Sequence, residues 1–135
     1  MYEPDYIMRT IKQFSEMLAA ILFGATNGQV TLDDLEELSV TFTGLSLGTL
    51  TALGTPQLLT LYSVIGTLDI DKAYVSARLL YQLAEQEGEA SRALMLKEKA
   101  LALSLEVRRV LGGFLNDEHE SLVQELQVSV AKNGT

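Results

Sequence analysis

Apolar residues return at every third or fourth position through almost the whole of this chain. Ile7, Ile11, Phe14, Leu18 and Ile21 advance in alternating steps of four and three, the spacing that lines one side of an α-helix. Nowhere do β-branched and polar residues alternate for long, so strands find little support. Segments that each carry one oily side must bury those sides against one another. The expected fold is therefore all-α, a bundle of about six to seven helices. At 135 residues the chain can bury a core without a staple, and a single helical domain over residues 1–135 is expected.

Capping residues, glycines and prolines punctuate the pattern. A first helix runs from about Pro4 to Phe23, widened by Met8, Met17 and Leu22, with Arg9, Lys12, Gln13 and Glu16 on its other side. Gly24 terminates it, and Ala25-Thr26-Asn27-Gly28 reads as a turn. Thr31 caps a second helix, with Asp33 and Asp34 at the positive end of its dipole. Leu32, Leu35, Leu38 and Phe42 form its buried side, and Gly44 ends it. Short pieces follow, one over Leu47 to Leu53 and one from Thr55-Pro56 to Gly66. A fifth helix starts near Asp69 or Asp71 and ends before Gly88, with Ile70, Ala73, Ala77, Leu80 and Ala84 inside. The sixth spans about Glu89 to Leu111 on the stripe Ala93, Leu96, Ala100, Leu103, Val107 and Val110, until Gly112-Gly113 breaks it. The seventh starts near Asn116, carries Leu122, Leu126 and Val130 inward, and frays over Lys132 to Thr135.

Only Gly88 separates the fifth and sixth helices, so residues 69–111 should form an αα-hairpin. Alanines on both helices and Tyr81 near their contact give it the flavour of a tetratricopeptide unit, but no second copy appears 34 residues away. A repeat-like hairpin inside a bundle is expected, not an array.

Charge narrows the partners. The formal net charge is −8, which repels phosphate backbones and anionic lipid surfaces, so neither nucleic acid nor membrane is expected as a partner. Residues 38–68 carry no charge over 31 positions, long enough to raise the question of a membrane span. Gly44, Gly48, Gly54, Gly66 and Pro56 cut that stretch into pieces too short to span. Glu3 and Asp5 beside a single Arg9 are the wrong flank for a secretory signal. With no cysteine in the chain, a cytoplasmic location is expected.

Asp5-Tyr6-Ile7-Met8-Arg9, followed by Ile11, Gln13 and Phe14, resembles the opening of a family of small bacterial helical proteins of about 130 residues and unknown function. The resemblance extends to the Leu- and Glu-rich segment Leu32 to Leu38 and the hairpin Ile70 to Val110. It implies a helical fold and no known activity, and it brings no catalytic residue with it.

Signs of chemistry are sparse. His119 is the only histidine and lacks the Glu three positions before it that a di-iron bundle uses, since Asn116 stands there. It is expected as a solvated first-turn residue. Asp69-Ile70-Asp71 fails as a calcium loop, because Tyr74 and Leu80 occupy its glycine and closing-glutamate positions; both aspartates are expected to cap. Gly44 and Gly48 make a weak G-x-x-x-G, and no phosphate-cradling loop or nucleophile elbow occurs. Glu85, Glu87 and Glu89 read as a solvated hairpin tip. Lys97, Lys99, Arg108 and Arg109 scatter round the sixth helix as a mixed solvent face. No catalytic residue, metal or cofactor is expected.

Tyr74, Arg78 and Tyr81 stand at i, i+4 and i+7 and share a helix face. Tyr and Arg are the commonest binding hot spots, which makes these three the candidate partner-binding residues. Against this, tyrosines at a core boundary with wet hydroxyls are ordinary packing. The neutral stretch offers a second candidate surface: part of residues 42–65 could bury against another copy of the chain, or form a buried central layer. The expected function is a non-catalytic interaction or scaffold domain that binds a protein, a peptide or itself through helix faces. The alternative is a small-molecule-binding bundle or minor enzyme using carboxylates and tyrosines. A deep apolar pocket with a buried carboxylate would favour the alternative, and a shallow apolar patch the interaction domain.

Overall fold

A computed structural model describes residues 4–24 and 31–133. The turn expected at Ala25-Thr26-Asn27-Gly28 lies outside them, as do Gly134 and Thr135. The chain is all-α, with seven helices among the described residues: α1 (Pro4–Gly24), α2 (Leu32–Thr43), α3 (Leu47–Ala52), α4 (Thr55–Leu61), α5 (Ile70–Gln86), α6 (Ala90–Leu111) and α7 (Asp117–Asn133). A two-stranded hairpin, β1 (Ser63–Val64) and β2 (Thr67–Leu68), lies between α4 and α5.

Helix ends follow from cap chemistry. Thr31 Oγ1 accepts the Asp34 amide at 3.2 Å, and Gly44 closes α2 in the left-handed region at φ 79°. Gly112 closes α6 in the same way at φ 73°. Asn116 Oδ1 accepts the His119 amide at 2.8 Å and so caps α7. Asp69 stands at the N-cap of α5, but its side chain makes no capping bond there; its carboxylate pairs instead with Lys72 at 3.6 Å.

The core is built around α5. Ile70, Ala73, Tyr74, Val75, Ser76, Ala77, Leu79, Leu80 and Ala84 are all buried, on more than one side of the helix. That breadth, wider than the single stripe expected, arises because α6 covers one flank while α1, α2 and α3 cover the others. Phe14 and Leu18 of α1 and Leu35 and Leu38 of α2 complete the same cluster. Each fully buried Leu, Ile or Phe contributes about 1.5–3 kcal/mol over an exposed one. α7 packs against α6, its Leu122 and Leu126 in the same buried cluster as Leu96, Leu103 and Val107. Leu32, expected inside, is 62% exposed in the first turn of α2, and Ser39 and Thr43 are buried instead.

The fourth helix was expected to reach Gly66 but stops at Leu61. The buried Tyr62 ends it, with its hydroxyl 2.7 Å from Ser76 Oγ of α5. The Asp69 amide donates to the Tyr62 carbonyl at 2.7 Å and closes the base of the hairpin. Ile65 and Gly66 both take positive φ, 52° and 76°, the signature of the two-residue turn that matches strand twist. Among the described residues no helix is long and apolar enough to cross a membrane. The neutral stretch is divided among the end of α2, α3, α4 and the hairpin.

Candidate functional site

An open groove of about 540 Å³ runs between α1, α5 and the first turns of α7. Its apolar floor comes from Leu18, Ala19 and Leu22 of α1 and Leu122 of α7. Arg78 and Tyr81 of α5 project into it, because they lie one turn apart on the side of α5 that meets α7. Facing them are Glu118 and Glu125, seven positions apart and so on one face of α7.

Polar contacts tie the three helices together. Arg78 Nη1 lies 3.8 Å from Glu118 Oε2, and Ser15 Oγ of α1 donates to the same carboxylate oxygen at 3.4 Å. The Tyr81 hydroxyl donates to Glu125 Oε1 at 2.6 Å. Burial pushes the Tyr81 phenol well above its ordinary range, and Glu125 and Glu85 push it further. Tyr81 is thus a hydrogen-bond donor and not a base at neutral pH. With Asp117 also on the rim, the groove holds one guanidinium among several carboxylates.

Of the three candidate residues the structure brings Arg78 and Tyr81 to this surface and buries Tyr74 completely. Tyr74 cannot contact a partner directly. The cause is α7, whose His119 ring packs edge-on to Tyr74 at 5.5 Å. The Tyr74 hydroxyl is buried near Arg78 without a well-formed hydrogen bond. Burial raises its phenol, the Arg78 guanidinium opposes that rise, and Glu118 adds to it.

His119 is not a solvated first-turn residue but a fully buried one. Its Nδ1 accepts the Leu115 amide at 3.0 Å, and its Nε2 lies 2.9 Å from the Ser104 carbonyl oxygen. An amide facing one nitrogen and a carbonyl facing the other select the neutral ring with hydrogen on Nε2. Burial holds its pKa below the usual histidine value; the nearby Arg108 lowers it further, and the Ser104 carbonyl works the other way. Phe114 packs edge-on to His119 at 5.4 Å and carries the Arg108 guanidinium 4.9 Å above its own ring. His119 thereby joins α6, the 112–116 loop and α7, and it sets the position of the α7 face that lines the groove. The signal for its burial was present: His119 precedes Leu122 by three and Leu126 by seven, on the same stripe.

Lys99 departs from the expected solvent face. Its Nζ donates to the carbonyls of Leu50 at 2.9 Å and Thr51 at 2.8 Å, closing the end of α3, and burial lowers its pKa. At the hairpin tip Glu87 pairs with Arg92 at 3.4 Å, and Ser91 Oγ donates to Glu89 at 2.7 Å. Among the described residues no three His, Cys, Asp or Glu side chains are grouped to hold a metal ion. A second open depression, of about 730 Å³, lies between α1, α2 and α5 and includes Asp71, whose carboxyl is raised by burial. In comparisons with known proteins, no family model, no curated protein and no solved structure matches this chain.

Proposed function

We propose that this chain is a non-catalytic interaction module that seats a basic segment of a partner protein or peptide between α1, α5 and α7. The observation that carries the reading is the groove itself. It is open, its floor is aliphatic, and its walls pair a phenol and one guanidinium with the carboxylates of Glu118 and Glu125. Such a trough accepts an apolar helix edge on its floor and cationic side chains at its rim. The excess of negative charge over the whole molecule steers a basic partner toward it. The chemistry of catalysis finds less support: the buried polar side chains among the described residues are Ser39, Thr43, Ser76, Ser104, His119 and the phenols of Tyr62 and Tyr74, and none is a carboxylate. The same reading treats α5 and α6 as a tetratricopeptide-like pair that presents one of its outer faces to the partner.

Titration calorimetry with two model peptides tests it, one an amphipathic helix bearing lysines and the other the same helix with glutamates in their place. The lysine peptide should bind, more weakly as salt rises, and Tyr81→Ala with Glu125→Gln should remove most of that binding. Equal affinity for both peptides, or wild-type affinity in the double variant, refutes the reading. One observation favours a second reading, a small-molecule site: the half-buried Asp71 with its raised carboxyl. Its side chain shares its depression with Lys72 and Arg9, so an acidic metabolite is the class to screen, with Asp71→Asn as the control.

A further inference from the structure

Glu118 and Glu125 both line the groove from α7, and each is held through one oxygen. Ser15 Oγ and the Arg78 guanidinium approach Oε2 of Glu118, and the Tyr81 hydroxyl donates to Oε1 of Glu125. The second oxygen of each carboxylate has no bonding partner among the described residues. Both residues are exposed. Seven positions on a helix are about 10.5 Å along its axis. The trough is therefore faced by two anchored acceptors at a set interval.

The opposite wall repeats at the same interval. Ser15, Ala19 and Leu22 of α1 line the groove at i, i+4 and i+7. Met8 stands seven positions before Ser15, where the hollow continues beside Asn116. The two stretches share Ser15, Ala19 and Glu118, so the trough follows α1 from Met8 to Leu22, about four turns. Ser15, Ala19 and Ser121 are small and let another backbone come close. Walls that repeat every seven residues match a helix laid nearly parallel to them, in either direction. On such a helix, residues i and i+7 lie within about 20° of one face. They are also the same roughly 10.5 Å apart. Cations at those positions reach Glu118 and Glu125 together, while the residues between them turn down onto Leu18, Leu22 and Leu122. An extended segment covers the interval in about three residues, and side chains three apart then point to opposite faces. Resting on the groove as the partner site proposed above, we infer that its occupant is one helix of about four turns carrying Lys or Arg seven positions apart.

Titration calorimetry on the full chain at low salt tests the spacing with three end-capped amphipathic peptides of about four turns. The first carries its two lysines at i and i+7. The second has the same composition with lysines at i and i+5, which turns one of them about 140° off the face. The third repeats the first with proline at i+4. The first should bind about two- to fivefold more tightly than the second, the worth of one exposed ion pair. The third should bind at least about tenfold more weakly than the first, because it cannot hold the helix. In Glu118→Gln with Glu125→Gln, both exposed substitutions, the first two peptides should bind alike. Equal affinity of the wild type for the first two overturns the inference and leaves the groove reading standing. So does a proline peptide that binds as tightly as the first, or a preference that survives the double variant. Failure of both lysine peptides to bind overturns the two together.

Discussion

Replacing His119 by alanine should be among the costliest single changes in the molecule, and the cost can be worked out from its contacts. The substitution removes the acceptor of the Leu115 amide and the donor to the Ser104 carbonyl. The part-buried amide loses its partner, a cost of up to about 1–3 kcal/mol. The carbonyl loses less, because it lies inside α6 and keeps its helical bond. Edge-on contacts with Tyr74 and Phe114 also go, at about 0.5–1.5 kcal/mol each. Together these come to about 2–6 kcal/mol, a large share of the roughly 5–15 kcal/mol that holds a domain of this kind together. Urea denaturation at pH 8 measures it directly. A loss below about 1 kcal/mol would mean that the ring does not hold the 112–116 loop as described.

The same residue carries a pH signature whose sign is fixed. Its folded pKa lies below the ordinary value, so between the two the unfolded chain binds a proton that the folded chain refuses. Stability then rises with pH across that window, at up to about 1.4 kcal/mol per pH unit. The contribution is complete above the unfolded value of about 6.5 and is lost as pH falls from there toward the folded pKa. His119→Asn keeps an acceptor near the Leu115 amide and has no titrating ring. Its stability should be lower than wild type at pH 8, with the gap narrowing as pH is lowered to 5. Parallel pH profiles for the two proteins would refute the neutral, buried state.

Other consequences follow from single contacts. Lys99→Met keeps the aliphatic stem but loses the bonds to the Leu50 and Thr51 carbonyls; about 1–2 kcal/mol should go, with hydrogen exchange speeding up in α3 before α6. Tyr62→Phe leaves Ser76 Oγ buried without the phenol and should cost about 1–2 kcal/mol, whereas adding Ser76→Ala should recover much of the loss in a double-mutant cycle. Gly112→Ala meets no atom within 4 Å yet must hold φ +73°, so thermal melts should show a loss of about 1–2 kcal/mol. Gly113→Ala, equally uncrowded and without a positive φ, should be close to neutral.

Where local chemistry decides the backbone, the chain could be read before its structure was known. Thr31, Gly44, Gly112 and Asn116 set helix ends through bonds within a few residues, and the long helices α5 and α6 run nearly between the limits that spacing implied. The hairpin was not legible. Two-residue strands leave no alternation to detect, and Ile65-Gly66 lacks the Asn-Gly or Asp-Gly pair that marks such turns. Nor was the division of the candidate face. Tyr74, Arg78 and Tyr81 share one side of α5, but their burial depends on how far α7 reaches along it, and that is a tertiary fact. His119 covers Tyr74, while Glu118 and Glu125 leave Arg78 and Tyr81 at the groove.

The neutrality of residues 38–68 calls for its own explanation, because capping chemistry does not demand it. Helices of six and seven residues such as α3 and α4 are too short to persist alone, and their ends leave many amides and carbonyls to satisfy. Uncharged side chains do part of that work, beside Glu36, whose carboxylate accepts the Leu47 amide at 3.0 Å, and Lys99 at the other end of α3. Ser46 Oγ accepts the Thr49 amide at 3.1 Å, Gln57 Oε1 accepts the Gly54 amide at 2.8 Å, and Ser39 Oγ donates to the Leu45 carbonyl at 2.7 Å. Aspartate caps a helix as well as serine does, and glutamate fills the place of Gln57 in a capping arrangement equally well. Outside the segment acids are used freely near helix starts, at Asp33, Asp34, Asp71, Asp117 and Glu118. Inside it every such position has a neutral side chain, including exposed ones where an ion would cost nothing to hydrate. Burial alone explains Leu47, Leu50 and Leu58. Ser46, Gln57 and Thr60 stand at the surface, where each satisfies a backbone group of its own short helix.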